Sequence, residues 1–425
     1  MSNRLPETSN AHLLTGSGEG LAAVPRLPEA RTVDRRRFLA AGAAAFAYGA
    51  LGTRAEVAFA AAPEGGPDAA RYRNLLVLVE LKGGNDGLNT VVPVGDPAYA
   101  RLRPKLAIAR DDAIRLSDRA ALHPALAPLL PAWERRELAI LQGVGYPEPN
   151  LSHFRSIEIW ETASRSDETL ADGWLARTFA RRPAPASFAA DGVVIGDNDL
   201  GPLAGGGARA IALADPEQFL RRARLASPAG ERRNPALAHI LKIEGDVVQA
   251  ASHLDSRHAY ATAFPATPFG NAVKTAARVI ANDAGVAVVH LSIGSFDTHA
   301  NQAPTQARLL GDLAQGLAAL ESALREIGRW DRTLVLTYAE FGRRPKENQS
   351  AGTDHGTASV HFALGGKVAG GFAGEPPRLD RIGDGNLPHA IDFRSVYATV
   401  LERWWSTDAR SVLGGRFETL PILRG

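Results

Sequence analysis

Val286–Ser292 reads VAVVHLS and Thr333–Tyr338 reads TLVLTY; between them Leu310, Leu313, Leu317, Leu320, Leu324 and Ile327 recur at spacings of three and four. The two outer runs are short and nearly unbroken in apolar character, as expected of strands covered on both faces. The series between them lays one apolar stripe along a helix. Strand, helix and strand in succession imply parallel pairing, because a parallel neighbour is reached only through a crossover.

Working outward, Leu75–Leu81 (LLVLVEL) and Glu137–Val144 (ELAILQGV) read as further strands, and Val360–Leu364 as another apolar stretch. A helix is predicted from Ser152 to about Thr162, with Phe154, Ile157 and Trp160 on its buried face and Asn150 or Ser152 as N-cap. Near the C-terminus Phe393, Val396, Tyr397, Val400, Leu401 and Trp404 form a helical stripe that reads as core packing. Residues 165–270 are rich in Ala, Arg, Pro and Gly and read as a mostly helical insertion, with Val193–Ile195 as a short strand inside it. The fold expected is α/β, a mainly parallel central sheet flanked by helices, in a single domain over 61–425.

Residues 1–60 read differently. Arg35-Arg36-Arg37-Phe38-Leu39 opens a weakly apolar run to Leu51, followed by Ala58-Phe59-Ala60 in the pattern of a cleavage site. Paired arginines before Phe-Leu resemble the twin-arginine signature, an address read by the translocase that exports folded proteins. The run is shorter than the roughly 20 residues of a membrane span. The expected destination is therefore the periplasm or the exterior, with no stable membrane span. The leader holds seven arginines and five acids, an excess that accounts for the whole formal charge of +2. The rest of the chain is neutral and offers nucleic acid no electrostatic footing. There is no cysteine, which excludes disulfides, thiolate zinc sites and cysteine nucleophiles.

In open parallel sheets ligands bind beyond the carboxyl ends of the strands. Here those ends carry Asp86 (in KGGNDGLN, 82–89), Ser152 with His153, Asp297 with His299, and Glu340, and a nearby loop adds Asp354 and His355. Carboxylates and imidazoles are the oxygen and nitrogen ligands of Zn²⁺, Mn²⁺ or iron, enough for one or two ions. Each residue has a plainer use as well. Asp86 after two glycines fits an Asx-turn, Ser152 a helix cap, and Glu340 a salt bridge to Arg343 or Arg344. His290 and His361 lie inside apolar strands and read as satisfied core histidines.

Taken together, the leader, Lys82–Asn89, Ser152–Ala163 (SHFRSIEIWETA), Phe296–Gln302 (FDTHANQ), Thr337–Arg344 (TYAEFGRR), Gly352–Thr357 (GTDHGT) and Asp392–Val400 with Leu413–Phe417 resemble a bacterial family catalogued as domain of unknown function 1501. That family is distantly similar to the alkaline phosphatase and sulfatase superfamily, an α/β sandwich with metals at its strand ends. The resemblance implies Asp86 as a first-strand ligand, Ser152 as nucleophile, Asp297 and His299 as ligands after a later strand, and His355 as a last histidine ligand. Glu340-Phe341 stands where the superfamily has Asp-His. The formylglycine signature of true sulfatases is absent, since Ser152-His153-Phe154-Arg155 lacks its proline and its spacing.

The reading that follows is an exported, metal-dependent hydrolase or transferase of phosphate- or sulfate-type esters. Asp86, Asp297, His299, Glu340, Asp354 and His355 would hold a divalent ion such as Zn²⁺, Mn²⁺ or Ca²⁺. Ser152 would attack, or Asp86 or His153 would position a water, while Arg155 and the helix N-terminus meet the anionic substrate. The alternative is a non-catalytic exported binding or assembly protein on the same scaffold, with an exported protein partner. Both require Asp86, Asp297, His299 and His355 to converge on one centre.

Overall fold

The computed structural model describes residues 71–214, 258–282 and 285–425. The leader at 1–60 lies outside them, as does the part of the expected insertion at 215–257. The described residues belong to one unit, Ala62–Gly425.

Fourteen strands occur among the described residues. In chain order they are β1 (Leu75–Leu81), β2 (Val91–Val92), β3 (Ile114–Arg115), β4 (Ala121–Leu122), β5 (Leu138–Gly145), β6 (Ala190–Ile195) and β7 (Ala210–Leu213). There follow β8 (Val286–Ile293), β9 (Thr333–Tyr338), β10 (Gly342–Arg343), β11 (His355–Gly356), β12 (Ser359–Leu364), β13 (Gly371–Gly374) and β14 (Ile391–Asp392). The central sheet has the order β13-β5-β12-β9-β1-β8-β6-β7, with β14 beside β5. Leu78 of β1 lies between His290 of β8 and Leu336 of β9, both in parallel register. Only β12 runs against the rest, antiparallel to both β5 and β9. β2, β3 and β4 make a separate patch, and β10 pairs with β11 as an antiparallel ribbon.

β1 shows why these runs are apolar throughout. Leu75, Val77, Val79 and Leu81 join one core, with Leu310, Leu313, Leu317, Leu320 and Leu324 of the helix Gln302–Glu326 and Val273 of the helix Pro268–Ile280. Leu76 and Leu78 point the other way, into a core built on Trp160, Trp174, Phe179, Tyr397 and Trp405. Helices thus cover both faces, and alternation between polar and apolar residues has no place in such a strand. At roughly 1.5–3 kcal/mol for each large apolar side chain removed from water, the two cores dominate the stability.

Two expectations need correction. The segment 165–270 is not simply a helical insertion: β6 and β7 lie within it and extend the central sheet in parallel beyond β8. Val193–Ile195, expected as a short strand, forms the end of β6, whereas β7 (AIAL) is short and rich in small side chains, so its signal was weak. Phe154 does not face the core. The helix His153–Thr162 buries Ser156, Ile159, Trp160 and Thr162, and Phe154, a turn earlier and off that face, is 87% exposed.

Candidate metal centre

The carboxyl ends of β1, β5, β8 and β9 lie along one rim, and the polar loops after them meet there. Three imidazoles surround the Asp297 carboxylate. His299 Nε2 is 3.0 Å and His355 Nε2 3.1 Å from Asp297 Oδ1, and His153 Nε2 is 3.4 Å from Oδ2. The Nε2 atoms of His299 and His355 are themselves 3.0 Å apart. His153, Asp297 and His355 each offer one ligand atom, all within 4.8 Å of one another.

The other nitrogen of each ring is tied off. His355 Nδ1 is 2.9 Å from the Leu151 carbonyl oxygen, which only accepts, so Nδ1 carries a proton and, in the neutral ring, Nε2 presents a lone pair. His153 Nδ1 is 2.7 Å from Glu340 Oε1, and His299 Nδ1 is 3.5 Å from Asp354 Oδ1. This is the arrangement by which outer carboxylates and carbonyls fix a metal-ligating histidine's tautomer and aim. Neutral imidazoles held this way direct lone pairs at one another and at an anionic oxygen. Such convergence is repulsive until a proton or a cation occupies it, and the nitrogen and oxygen donor set suits a divalent transition metal.

Glu340 and Asp354 therefore stand behind the histidines. Glu340 is buried, its Oε1 also accepts from the Gly83 N–H at 2.9 Å, and its Oε2 has no hydrogen-bond partner among the described residues. It does not pair with Arg343. That guanidinium, fully buried, donates to Asp297 Oδ1 at 2.6 Å and to the carbonyls of Gly84 (2.8 Å), Thr353 (2.9 Å), Phe296 (3.1 Å) and Gly83. Partial burial works against ionisation of Asp297, but the hydrogen bond and charge of Arg343, aided by His355 and His299, hold its carboxyl at about 2. Phe341 packs its ring 4.5 Å from His355 and 4.9 Å from His153, centre to centre.

Asp86 does not reach this centre, so the four-residue convergence expected from the sequence fails for Asp86 and holds for Asp297, His299 and His355, with His153 as the fourth member. Its carboxylate accepts from Arg103 twice (2.5 and 2.9 Å), from the Leu88 N–H (3.1 Å) and from Gln302 Nε2 (2.5 Å), which uses its lone-pair capacity. It caps the short helix Gly87–Thr90 and is neutralised by a buried arginine, so the Asx-turn reading fits it better than a ligand role. Ser152 is the N-cap of the helix that carries His153; it is exposed, and its hydroxyl makes no cap bond. Arg155 is held by Glu158 (2.9 Å) and by the carbonyls of Ser166 (3.1 Å) and Glu168 (2.5 Å). Sequence reasoning cast His153 as a base rather than a ligand and missed Leu151 and Arg343. Backbone carbonyls carry no sequence signal, and an arginine among loop glycines gives little. His290 and His361 are buried as expected but not fully satisfied: His290 Nε2 meets the Tyr338 hydroxyl at 2.9 Å, whereas neither His361 nitrogen has a hydrogen-bond partner among the described residues.

The glycines let backbone approach the site. Gly83 has φ +109°, and a Cβ there would stand 2.4 Å from the Asp297 nitrogen. Gly83→Ala is expected to cost about 2 kcal/mol or more and to shift Asp297 off centre. Urea unfolding and metal content check this together, and wild-type values in both would refute it.

Behind Lys82, Glu80 and Glu161 form a second titratable pair. Burial, helped by Glu340, Asp197 and Asp199 and opposed by Lys82, raises Glu80 to about 8; burial and Glu80 raise Glu161 to about 8. Both exceed the ordinary value of 4.5. The folded chain keeps these protons after the unfolded chain has lost them, so their contribution is fully present below about pH 4.5 and disappears as pH rises through about 8. The melting temperature should fall between about pH 4.5 and about pH 8, less steeply in Glu80→Gln. A slope that survives that substitution unchanged would assign the effect elsewhere.

The chain belongs to the family described as protein of unknown function DUF1501, whose model matches residues 127–414. No curated protein matches it. Solved structures similar to it include the phosphonate monoester hydrolase of Agrobacterium radiobacter (11% identity, TM-score 0.36, 81% of this chain and 78% of that one). Another is the phosphonate monoester hydrolase SpPMH of Silicibacter pomeroyi (10%, TM-score 0.40, 81% and 75%). A third is the C-terminal periplasmic domain of EcEptC of Escherichia coli in complex with Zn (10%, TM-score 0.29, 69% and 72%). Likenesses this loose say nothing of what this chain acts on. No helix among the described residues is long and apolar enough to cross a membrane.

Proposed function

We propose that this protein is a metal-dependent hydrolase or transferase of phosphate- or sulfate-type esters, exported to the periplasm through the twin-arginine translocase. The observation that carries the reading is the convergence of three imidazole Nε2 atoms on the Asp297 carboxylate, with each Nδ1 held from behind. His153, His299, His355 and Asp297 would hold a divalent ion, Zn²⁺ or Mn²⁺ before Ca²⁺, because imidazole is a poor ligand for calcium. Such an ion polarises an ester oxygen as a Lewis acid.

The chain's own residues supply the rest. The exposed Ser152 hydroxyl, adjacent in sequence to His153, would be the nucleophile. The free N–H groups at the start of the ten-residue helix His153–Thr162 favour the substrate's anionic oxygens. Glu340 keeps the His153 proton on Nδ1, and Phe341 packs against the His153 ring. Asp86 and Arg155 have no part in this step.

The second reading, a binding or assembly protein with an exported partner, draws support from Arg155: the cation expected to meet the substrate is committed elsewhere. Elemental analysis of the purified mature protein, with turnover of generic phosphate, phosphonate and sulfate esters in added Zn²⁺, Mn²⁺ or Ca²⁺, separates the two. The enzyme reading expects about one metal per chain and turnover that falls at least about 100-fold in Ser152→Ala. Bound metal without turnover establishes the binding protein. Absence of metal under every condition ends the enzyme reading.

A further inference from the structure

We infer that Gln302 is the positioning residue of the metal centre, one buried amide that sets the spacing between the two loops carrying most of its ligands. The inference rests on the metal reading above and goes beyond it.

Gln302 opens the long helix after β8 and is fully buried. Its Oε1 accepts two hydroxyls, Thr298 Oγ1 at 3.0 Å and Thr353 Oγ1 at 2.6 Å. Thr298 sits between Asp297 and His299; Thr353 precedes Asp354 and His355. One amide oxygen thus grips both loops next to their ligands, and the Thr353 N–H to Thr298 carbonyl bond at 3.1 Å closes the joint.

The amide's other end fixes which way it faces. Nε2 donates to Asp86 Oδ2 at 2.5 Å and to Gln306 Oε1 at 3.0 Å, two groups that can only accept in that direction. Reversing the amide would set its oxygen against the Asp86 carboxylate. Asp86 in turn is held by Arg103, which also donates to the carbonyls of Pro345 (2.8 Å) and Arg344 (3.1 Å), just after the Glu340–Arg343 segment. The aspartate of the GGND loop therefore serves the centre without touching it: it orients Gln302, and Gln302 aligns the loops. Every side chain in this chain of contacts is buried, so each lost bond leaves an unpaired polar group that moves its loop instead of being rehydrated in place.

The test uses the mature protein and Co²⁺ as probe, reading affinity by chelator competition and geometry by the visible absorption of bound Co²⁺. Gln302→Glu keeps the shape and both threonine contacts but replaces the donor to Asp86 with an acceptor. It should lower Co²⁺ affinity by about 10- to 100-fold, the range found for outer-shell partners, and alter the spectrum. Its deficit relative to wild type should shrink as pH falls and the new carboxyl gains a proton, which a merely structural defect would not do. Thr353→Val should reproduce the loss and Thr353→Ser restore it, which keeps the test alive if Gln302→Glu does not fold. Variants that bind Co²⁺ with wild-type affinity and spectrum overturn the role given to Gln302 while leaving the metal centre standing. A wild-type protein that binds no Co²⁺ overturns both.

Discussion

Replacing Arg343 by lysine should destabilise the protein by about 3 to 5 kcal/mol, the cost of leaving two or more of its carbonyl partners without a donor. The guanidinium has no exposed surface and satisfies four backbone carbonyls and one carboxylate. Those carbonyls come from three separate loops: Gly83 and Gly84 after β1, Phe296 after β8, and Thr353 before β11. An ammonium is a point donor with three protons and cannot span such a fork. Each carbonyl left dry costs about 1 to 3 kcal/mol, so the loops should part rather than tolerate it. Urea denaturation measures the loss. A variant within about 1 kcal/mol of wild type would mean that water replaces the fork, and the rim would then be far softer than drawn here.

Asp297→Asn should have its main effect on metal rather than on folding. The amide oxygen can still accept from Arg343, but the negative charge between the guanidinium and three imidazoles is gone. Divalent-metal affinity should drop by more than about 100-fold, beyond the usual penalty for an outer-shell partner. The wild-type carboxyl is held at about 2, below its usual 3.8. Its contribution is thus in place above the ordinary carboxylate range and vanishes only as pH falls through about 2. Metal affinity should then rise with pH only as the imidazoles lose protons, without a carboxylate step near pH 4. Isothermal titration at several pH values checks both statements. An Asn variant that binds like wild type would show that the histidines alone suffice, or that the ion lies elsewhere.

β1 and β9 were legible to their last residues, because a strand buried on both faces writes an unbroken apolar run between polar turns. The long helix was legible for the matching reason, a single stripe at helical spacing. Direction was not. Ser359–Leu364 reads as apolar whichever way it runs, and its antiparallel placement between β5 and β9 follows from tertiary pairing alone. At the rim, residue type and position at a strand end picked out His153, Asp297, His299, Glu340, Asp354 and His355, all of which meet. The same criteria picked out Asp86, which fails for a reason no local pattern contains: its neutralising arginine lies 17 residues on and its amide partner 216 residues on. A motif shows which side chains face a rim, whereas the partner that claims each one is decided by the fold.

The reversed strand has a consequence for how this site is held. β9 leaves the sheet at the very edge where β12 enters it, so the chain between Ala339 and Ala358 departs and returns on one side without traversing the molecule. Glu340 and Arg343 sit on the outgoing leg and Asp354 and His355 on the homecoming leg, stitched by the β10–β11 ribbon. A crossover would have sent half of these residues to the opposite end of the sheet. In this arrangement both legs reach the rim together, and the turn between them is anchored there as well, through Asn348 Nδ2 on the His299 carbonyl at 2.9 Å and Thr353 on Gln302.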